Sequence, residues 1–229
     1  MTERRPWEFL TSGHLQIIAL LTMTIDHTGA LLFPGVRELR IIGRLAFPLY
    51  CLMIAEGFAH TSSRKKYFLR LLIFGFISIV PYGLFHFLMY RYSWDRLGTV
   101  LLQELLGNVL FELAAGFLAL WGLSKGKAWV LLAPLVLLAS EYLDLMYGWY
   151  GIAMIVQCYL FRKYHWAQAA GVAVLTLLEG GSIQIYAAFA AVLIFFYSGQ
   201  RGRRLPRYLG YAYYPGHLAA LDILHVFFH

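Results

Sequence analysis

Long apolar blocks, separated by short charged or Gly/Pro-rich stretches, follow one another along the chain from residue 14 to residue 228. A helix needs about 20 apolar residues to cross the hydrocarbon core of a membrane, and somewhat fewer when flanking side chains reach the interface. The pattern therefore predicts an all-α, polytopic membrane protein of about nine transmembrane helices. The predicted spans are 14–33, 39–60, 67–90, 98–123, 128–145, 147–161, 165–179, 183–198 and 208–228.

The composition agrees with this pattern. Hydrophobic residues make up 60% of the 229 residues and charged residues only 14%, whereas a soluble domain of this size needs more polar surface. The first apolar block is too long, and too polar in its middle, for a cleaved signal peptide. No stretch has the pattern of a separate soluble domain, a repeat or a low-complexity linker. We therefore predict a single membrane domain over residues 1–229.

Lys and Arg residues are concentrated in alternate loops between the predicted spans. By the positive-inside rule, this asymmetry predicts a cytoplasmic amino terminus. The net charge of +7 is then mainly a topology signal, and without a basic, aromatic-rich soluble face it does not indicate nucleic-acid binding. The basic clusters on the predicted cytoplasmic side are Arg4 and Arg5, Arg64–Lys66 with Arg70, Lys125 and Lys127, Arg162 and Lys163, and Arg201–Arg207.

The two cysteines give no sign of redox or metal chemistry. Cys51 and Cys158 lie in the middle of predicted spans, without a CxxC motif or neighbouring histidines. They are interpreted as small packing residues. Because no ligand spacing supports a metal site, none is predicted.

Ionisable residues inside the first two spans are the strongest indication of function. Asp26 and His27, in the segment TIDHTG, interrupt an otherwise apolar block, and a charge at a helix centre costs about 2.5–3.5 kcal/mol on insertion scales. A short turn follows this span, so Arg44 in the next span is expected at a similar depth. Pro48 leaves the Arg44 carbonyl without its helical donor, which predicts a kink at the same place.

This pattern allows two interpretations. In the structural one, Asp26 and Arg44 form a buried ion pair that joins two helices, and His27 is a packing residue. In the functional one, His27 transfers a proton, and Asp26 holds Arg44 because neighbouring helical residues point about 100° apart.

Several blocks of the chain resemble the TraX family, known for acetylating F-type pilin. They are LQIIALLTMTIDHTGALLFP, LRIIGRLAFPLYCLMIAEGF, SSRKKYFLRLLIFGFIS, DLMYGWYGI and PRYLGYAYYPGHL. The family is similar in turn to membrane acyltransferases such as heparan-α-glucosaminide N-acetyltransferase. The resemblance implies a bacterial inner-membrane enzyme that moves an acetyl group from cytosolic acetyl-CoA to an amine acceptor such as a pilin-like peptide. It places His27 in the reaction centre as general base, supported by Asp26 and by Arg44 as a candidate oxyanion stabiliser.

Two further sets of residues are candidates for substrate binding. Acyl-CoA carries phosphate charges and docks from the cytosol, so the basic cluster after the second span could bind it, although the same cluster also serves topology. The candidates for donor binding are Arg64, Lys65, Lys66, Arg70 and Glu56. Polar residues within later spans could line the site, or simply join helices; the candidates are Asn108, Glu112 and His217, the last as a second candidate base.

The sequence leaves other functions open. Transfer to a hydroxyl group of a cell-surface glycan uses the same chemistry with a different acceptor. A transporter or proton relay could use Asp26, His27 and Arg44 as ionisable groups along a path, although the inverted repeats of many transporters are not visible. In a membrane scaffold the same charges would be purely structural.

Overall fold

The computed structural model describes residues 6–203 and 205–228, apart from the side chain of Arg207. Within these residues the protein is 78% helical and has no β-strand, which confirms the all-α prediction. The topology signals assigned to Arg4, Arg5 and Arg204 lie outside the described residues.

The described residues form eleven α-helices, joined by turns and by three 3₁₀ helices at Trp94–Arg96, Lys127–Leu131 and Gln184–Phe189. The α-helices are Ser12–Leu31 (α1), Arg37–Gly43 (α2), Ala46–His60 (α3), Arg64–Met89 (α4), Leu97–Gln103 (α5), Val109–Lys125 (α6), Leu132–Tyr142 (α7), Gly148–Leu160 (α8), His165–Glu179 (α9), Ala190–Phe195 (α10) and Arg207–Phe228 (α11).

Three of the predicted spans are not single helices. Span 39–60 divides into α2 and α3, with the break at Arg44 and Leu45; span 98–123 divides into α5 and α6; and span 183–198 is a 3₁₀ helix followed by α10. Pro48 lies in the first turn of α3, where a backbone N–H would have no intrahelical acceptor. Arg44 and Leu45 keep helical dihedral angles, so the predicted distortion at Arg44 is confirmed as a local interruption within the helical segment Arg37–His60.

Two segments meet the length and composition of a membrane crossing. Arg37–His60 has 24 residues with a mean hydropathy of 1.5, and Arg64–Met89 has 26 residues with a mean hydropathy of 2.0. The other described helices do not meet the same criterion, so nine crossings remain a prediction. Large apolar side chains are nevertheless exposed on many helices, including Phe76 on α4, Leu138 on α7 and Leu178 on α9.

The helices enclose one main core. Helix α4 packs along α11, α6 packs between α4, α7 and α8, and α1 packs against α2 and α3. At the contact of α1 and α2, Gly43 lies directly against Asp26, and a Cβ atom on Gly43 would come within 2.2 Å of the Asp26 Cβ atom. A glycine is thus required for this close approach. Cys51 and Cys158 are both fully buried, which confirms them as packing residues.

Several basic loops gather at one end of the bundle. Arg64 Nη1 donates to Ser124 Oγ at 3.0 Å, so the loop before α4 meets the loop after α6. The backbone N–H of Gly13 donates to the Arg201 carbonyl at 3.2 Å, so the start of α1 meets the segment before α11. This shared end agrees with the alternation of basic loops in the sequence.

Candidate functional site

A cluster of three charged side chains joins α1 to α2. An Asp26 Oδ2 atom accepts a hydrogen bond from Arg44 Nη2 and lies 3.0 Å from Arg40 Nη1. Arg40 also donates to the Asp26 carbonyl at 3.2 Å. The predicted pairing of Asp26 with Arg44 is confirmed. The participation of Arg40 was not predicted, although its position four residues before Arg44 places both on one helix face.

The cluster has an excess of positive charge, because two guanidinium groups share one carboxylate. The side chains of Asp26 and Arg44 are 9% and 15% exposed, whereas that of Arg40 is 28% exposed. Arg44 Nη1 also donates to Gln184 Oε1 at 3.4 Å. The Arg44 guanidinium is therefore held by α1 and by the 3₁₀ helix before α10, and it serves as a joint between elements.

A pair of histidines lies beside this cluster. His27 on α1 and His217 on α11 are 190 residues apart in the chain, yet His27 Nδ1 and His217 Nε2 are 2.7 Å apart. The other ring nitrogen of His217, Nδ1, is 2.8 Å from the Tyr213 carbonyl oxygen. The sequence had offered the two histidines as alternatives for the same role, and their direct contact was not predicted.

The contact of His217 with the Tyr213 carbonyl determines which nitrogen of each neutral histidine ring carries the proton. A carbonyl oxygen can only accept a hydrogen bond, so His217 Nδ1 carries a proton and His217 Nε2 has a free lone pair. His27 Nδ1 must then donate to His217 Nε2. The lone pair of neutral His27 is consequently on Nε2, the nitrogen that remains available for a reacting proton. His217 thus orients His27 as a carboxylate orients the histidine of a catalytic triad.

A cavity of about 720 Å³ connects the basic end of the bundle to the neighbourhood of these histidines. Exposed Lys66 and Arg201 lie on its wall at one end, and Met23 and Tyr214 at the other. Met23 is one helical turn before His27. The Tyr214 ring centroid is 6.3 Å from that of His27 and 5.8 Å from that of His217. The histidine pair therefore lies immediately behind the inner wall of the cavity.

The residues predicted to bind the donor do not all face this cavity. Lys66, Arg70 and Glu56 line it. Arg64 instead stacks over the Phe58 ring at 4.5 Å and bonds Ser124, and Lys65 is not on the wall. Arg201 lines the cavity as well; the sequence marked it only as a topology signal, because its distance in the chain from Lys66 gave no hint of their proximity.

Asn108 and Glu112 lie away from the cavity wall and connect helices. Asn108 caps α6, since its Oδ1 atom accepts from the backbone N–H of Leu110 at 3.2 Å while its Nδ2 atom donates to the Gly75 carbonyl at 3.2 Å. Glu112 Oε2 accepts from the Tyr147 backbone N–H at 3.4 Å. These contacts fit the joining role that the sequence had left open for both residues.

The fold and the site define an all-helical protein with membrane-capable apolar helices around a buried polar centre. The chain belongs to the TraX protein family, whose sequence pattern matches residues 12–225. It is 31% identical to the probable fimbrial assembly protein FimC, serogroup H1, of Dichelobacter nodosus, over 90% of this chain and 92% of that protein. It is also 43% identical to an uncharacterized protein of Rickettsia prowazekii (strain Madrid E), over 19% of this chain and 18% of that protein. No solved structure shows a significant match.

Proposed function

We propose that this protein is a multi-pass inner-membrane acyltransferase that transfers an acetyl group from cytosolic acetyl-CoA to an amine. The observation that carries the proposal is the cavity that runs from a basic entrance to Met23 and Tyr214, the latter beside the His27–His217 pair. Membership of the TraX family and a relative named as a fimbrial assembly protein support a pilin-like peptide as the acceptor. The proposal places the chain in the wider group of membrane acyltransferases suggested by the sequence.

The exposed apolar side chains support the membrane location. A soluble monomer rarely exposes contiguous apolar surface beyond a few hundred Å², whereas here such side chains occur on α4, α7, α9 and the end of α11. In a membrane, the lipid hydrocarbon would cover these apolar side chains. The gathering of basic loops at one end then supports a cytoplasmic orientation for the entrance of the cavity.

The cavity is suited to a donor that is anionic at one end and small at the other. Its volume of about 720 Å³ lies within the range of about 300–1,000 Å³ that is usual for small-molecule sites. Lys66, Arg70 and Arg201 supply cations near its entrance, and such groups bind phosphate strongly. Its wall also includes apolar residues such as Leu20 and Leu113, which suits an acetyl thioester.

The histidine pair supplies the proton transfer that the reaction needs. As the acceptor nitrogen attacks the thioester carbonyl carbon, His27 Nε2 takes the proton that the amine loses. His217 keeps His27 in the required orientation through the Nδ1–H bond. When the carbon–sulfur bond breaks, the same proton passes to the departing sulfur, so that the products are an amide and the free thiol of CoA.

The proposal is tested with purified protein in detergent or proteoliposomes, acetyl-CoA and a pilin-derived peptide with a free amino group. Release of the CoA thiol, together with the mass increase of one acetyl group on the peptide, is the expected result. His27→Ala should lower kcat by about 10²–10⁴-fold while acetyl-CoA still binds. His14→Ala is the matched control, because His14 is exposed at the opposite end of the same helix.

Two results would contradict the proposal. If acetyl-CoA binds without turnover on any amine or hydroxyl acceptor, the chain is not an acyltransferase, and the histidine contact belongs to a transport or scaffold role. If only a glycan hydroxyl is acetylated, the chemistry holds and the amine acceptor is wrong.

A further inference from the structure

Acetylation of a peptide amine has to release one proton more than His27 handles. Near neutral pH the amino terminus of a peptide is mostly an ammonium ion, because its pKa is about 7.7–8.0. An ammonium nitrogen has no lone pair with which to attack a thioester. Since His27 passes the proton of the neutral amine to sulfur, the ammonium ion must lose another proton before the attack.

The charges beside His27 disfavour an ammonium ion at the reaction centre. Arg40 and Arg44 share the carboxylate of Asp26, so this cluster has one excess positive charge. Both guanidinium groups interact electrostatically with His27, and they would repel a further positive charge there. The amine should therefore reach His27 in its neutral form, which requires a proton acceptor earlier on its path.

A second histidine contacts a carboxylate outside the site described above. His86 Nδ1 on α4 and Oε1 of Glu104, the residue after α5, are 2.9 Å apart. Among the described residues His86 Nδ1 has no hydrogen-bond partner, so the contact is that of an ion pair when the ring is protonated. The two side chains are 18% and 27% exposed. The titratable neighbours of the His86 ring also include Tyr82 and Tyr90 on α4, at centroid distances of 4.5 Å and 5.6 Å.

This pair lies at the end of the bundle opposite the basic loops. His86 is in the last turn of α4, whereas Arg64 is its first residue and lies among those loops; a helix of 26 residues is about 39 Å long. The Phe85 ring is 5.2 Å from the ring of His27 and 6.3 Å from that of His86. His27 also interacts electrostatically with His86. The reaction centre therefore has the donor cavity toward one end of the bundle and the His86–Glu104 pair toward the other.

We propose that His86, paired with Glu104, removes the additional proton from the ammonium group of the acceptor before the amine reaches His27, an inference that rests on the proposed function. The ligand is a primary amine that approaches from the end opposite the basic entrance. Histidine is the side chain best suited to accept a proton near neutral pH, and a carboxylate stabilises the imidazolium that results. While His86 is neutral, the Glu104 carboxylate also attracts the incoming ammonium ion.

The protons balance without another reactant. One N–H bond of the ammonium ion breaks, its electron pair stays on nitrogen, and the proton binds to the nitrogen lone pair of the neutral His86 ring. The neutral amine then attacks the thioester carbonyl carbon, while His27 takes a second proton and gives it to sulfur. The products are the amide, the free thiol and one proton, which the partly exposed His86 releases to water.

His86→Gln tests the proposal with two acceptors of different basicity, at saturating acetyl-CoA. One is a pilin-derived peptide with a free α-amino group, and the other is the same peptide with an aminooxyacetyl cap, whose nitrogen is neutral throughout the pH range used. Because only about one-tenth of the α-amine is neutral at pH 7, kcat/KM for the peptide should fall by about 5–10-fold. The value for the aminooxy peptide should stay within about 2-fold. The deficit for the α-amine should shrink as the pH rises and vanish near about pH 9, above the amine pKa.

Two further variants complete the design. Glu104→Gln should show the same selective loss on the α-amine, but a smaller one, because His86 still accepts the proton without its ion-pair partner. His14→Gln is the matched control, since His14 is an exposed histidine in the first turn of α1, and it should keep both rates. The Tm of each variant is measured in the same detergent.

The outcomes separate this inference from the proposed function. An unaltered protein that acetylates neither acceptor would overturn both. An active protein in which His86→Gln keeps its full rate on the α-amine would overturn the role of His86 alone. Equal losses on the two acceptors, or a deficit that persists at high pH, would do the same, because the contact with Glu104 would then only join α4 to α5. If His86→Gln does not fold, Glu104→Gln decides by the same comparison.

Discussion

The charge cluster of α1 and α2 predicts an unequal response to removal of each partner. Asp26→Asn removes the one carboxylate that Arg40 and Arg44 share and leaves two guanidinium groups side by side. Breaking a buried pair in this way costs about 3–5 kcal/mol. We therefore expect Asp26→Asn to be the most destabilising substitution in the cluster.

Substitution of Arg44 or Arg40 should lower the free energy of unfolding by less than Asp26→Asn does, and the more exposed arginine should matter less. In Arg44→Gln, Asp26 keeps Arg40 at 3.0 Å, so the loss is that of one hydrogen bond to a charged group, about 1.5–3 kcal/mol. Arg40 is partly buried, at 28% exposure, and its removal leaves the Asp26–Arg44 contact in place but removes its bond to the Asp26 carbonyl. Its loss should therefore exceed that of a fully exposed ion pair, about 0–1 kcal/mol, and stay below that of Arg44→Gln.

The measurement is the free energy of unfolding in detergent micelles, from denaturant titrations of each variant. Glu38→Gln is the matched control, because Glu38 is an exposed acid on α2 and should change stability by less than about 0.5 kcal/mol. The double variant Asp26→Asn/Arg40→Gln should recover part of the Asp26→Asn loss, since one unpaired guanidinium is gone. If Arg40→Gln costs as much as Asp26→Asn, or the double variant shows no recovery, a shared carboxylate is the wrong account of the cluster.

Three further predictions concern the histidine pair, the cavity entrance and the orientation. His217→Ala should lower kcat by at least about 10-fold because His27 loses its orienting acceptor. His217→Gln, which keeps an acceptor, should retain more activity, and equal losses of kcat in steady-state assays would contradict the orienting role. The double variant Lys66→Gln/Arg201→Gln should raise KM for acetyl-CoA more than it lowers kcat, whereas Lys65→Gln, off the cavity wall, should change neither. A larger rise of KM in Lys65→Gln than in the double variant would mean that the donor binds elsewhere. A cysteine placed at Lys125 should resist an impermeant thiol reagent added outside intact cells, and rapid labelling there would reverse the orientation.

The sequence predicted the features that depend on local pattern. Apolar blocks indicated buried helices because a sufficiently long run of hydrophobic side chains is what a helix needs to be buried in lipid or protein. The Asp26–Arg44 contact was also accessible, since the two spans are joined by a short turn and equal depth follows from the helical rise.

Contacts between distant segments could not be predicted in the same way. His27 and His217 lie on helices at opposite ends of the chain, and nothing in either segment specifies which pair of helices is adjacent. The same applies to Lys66 and Arg201 at the cavity entrance. Their proximity depends on the packing of α4 along α11, which is a property of the whole bundle.

The places where the predicted spans break are also the places that build the site. Span 39–60 is interrupted at Arg44, whose side chain bonds Asp26 and Gln184. Span 98–123 breaks before Val109, which puts the amino end of α6 on the cavity wall. Helix ends with free backbone groups are tolerated at membrane depth where they are buried in protein or line a cavity. A continuous apolar helix would have satisfied the hydropathy pattern equally well, but it would have left no free amide at Leu110 for the Asn108 side chain to cap. The interruption of the fourth span is therefore what places Asn108 at the start of α6, where its side chain joins that helix to α4 through the Gly75 carbonyl.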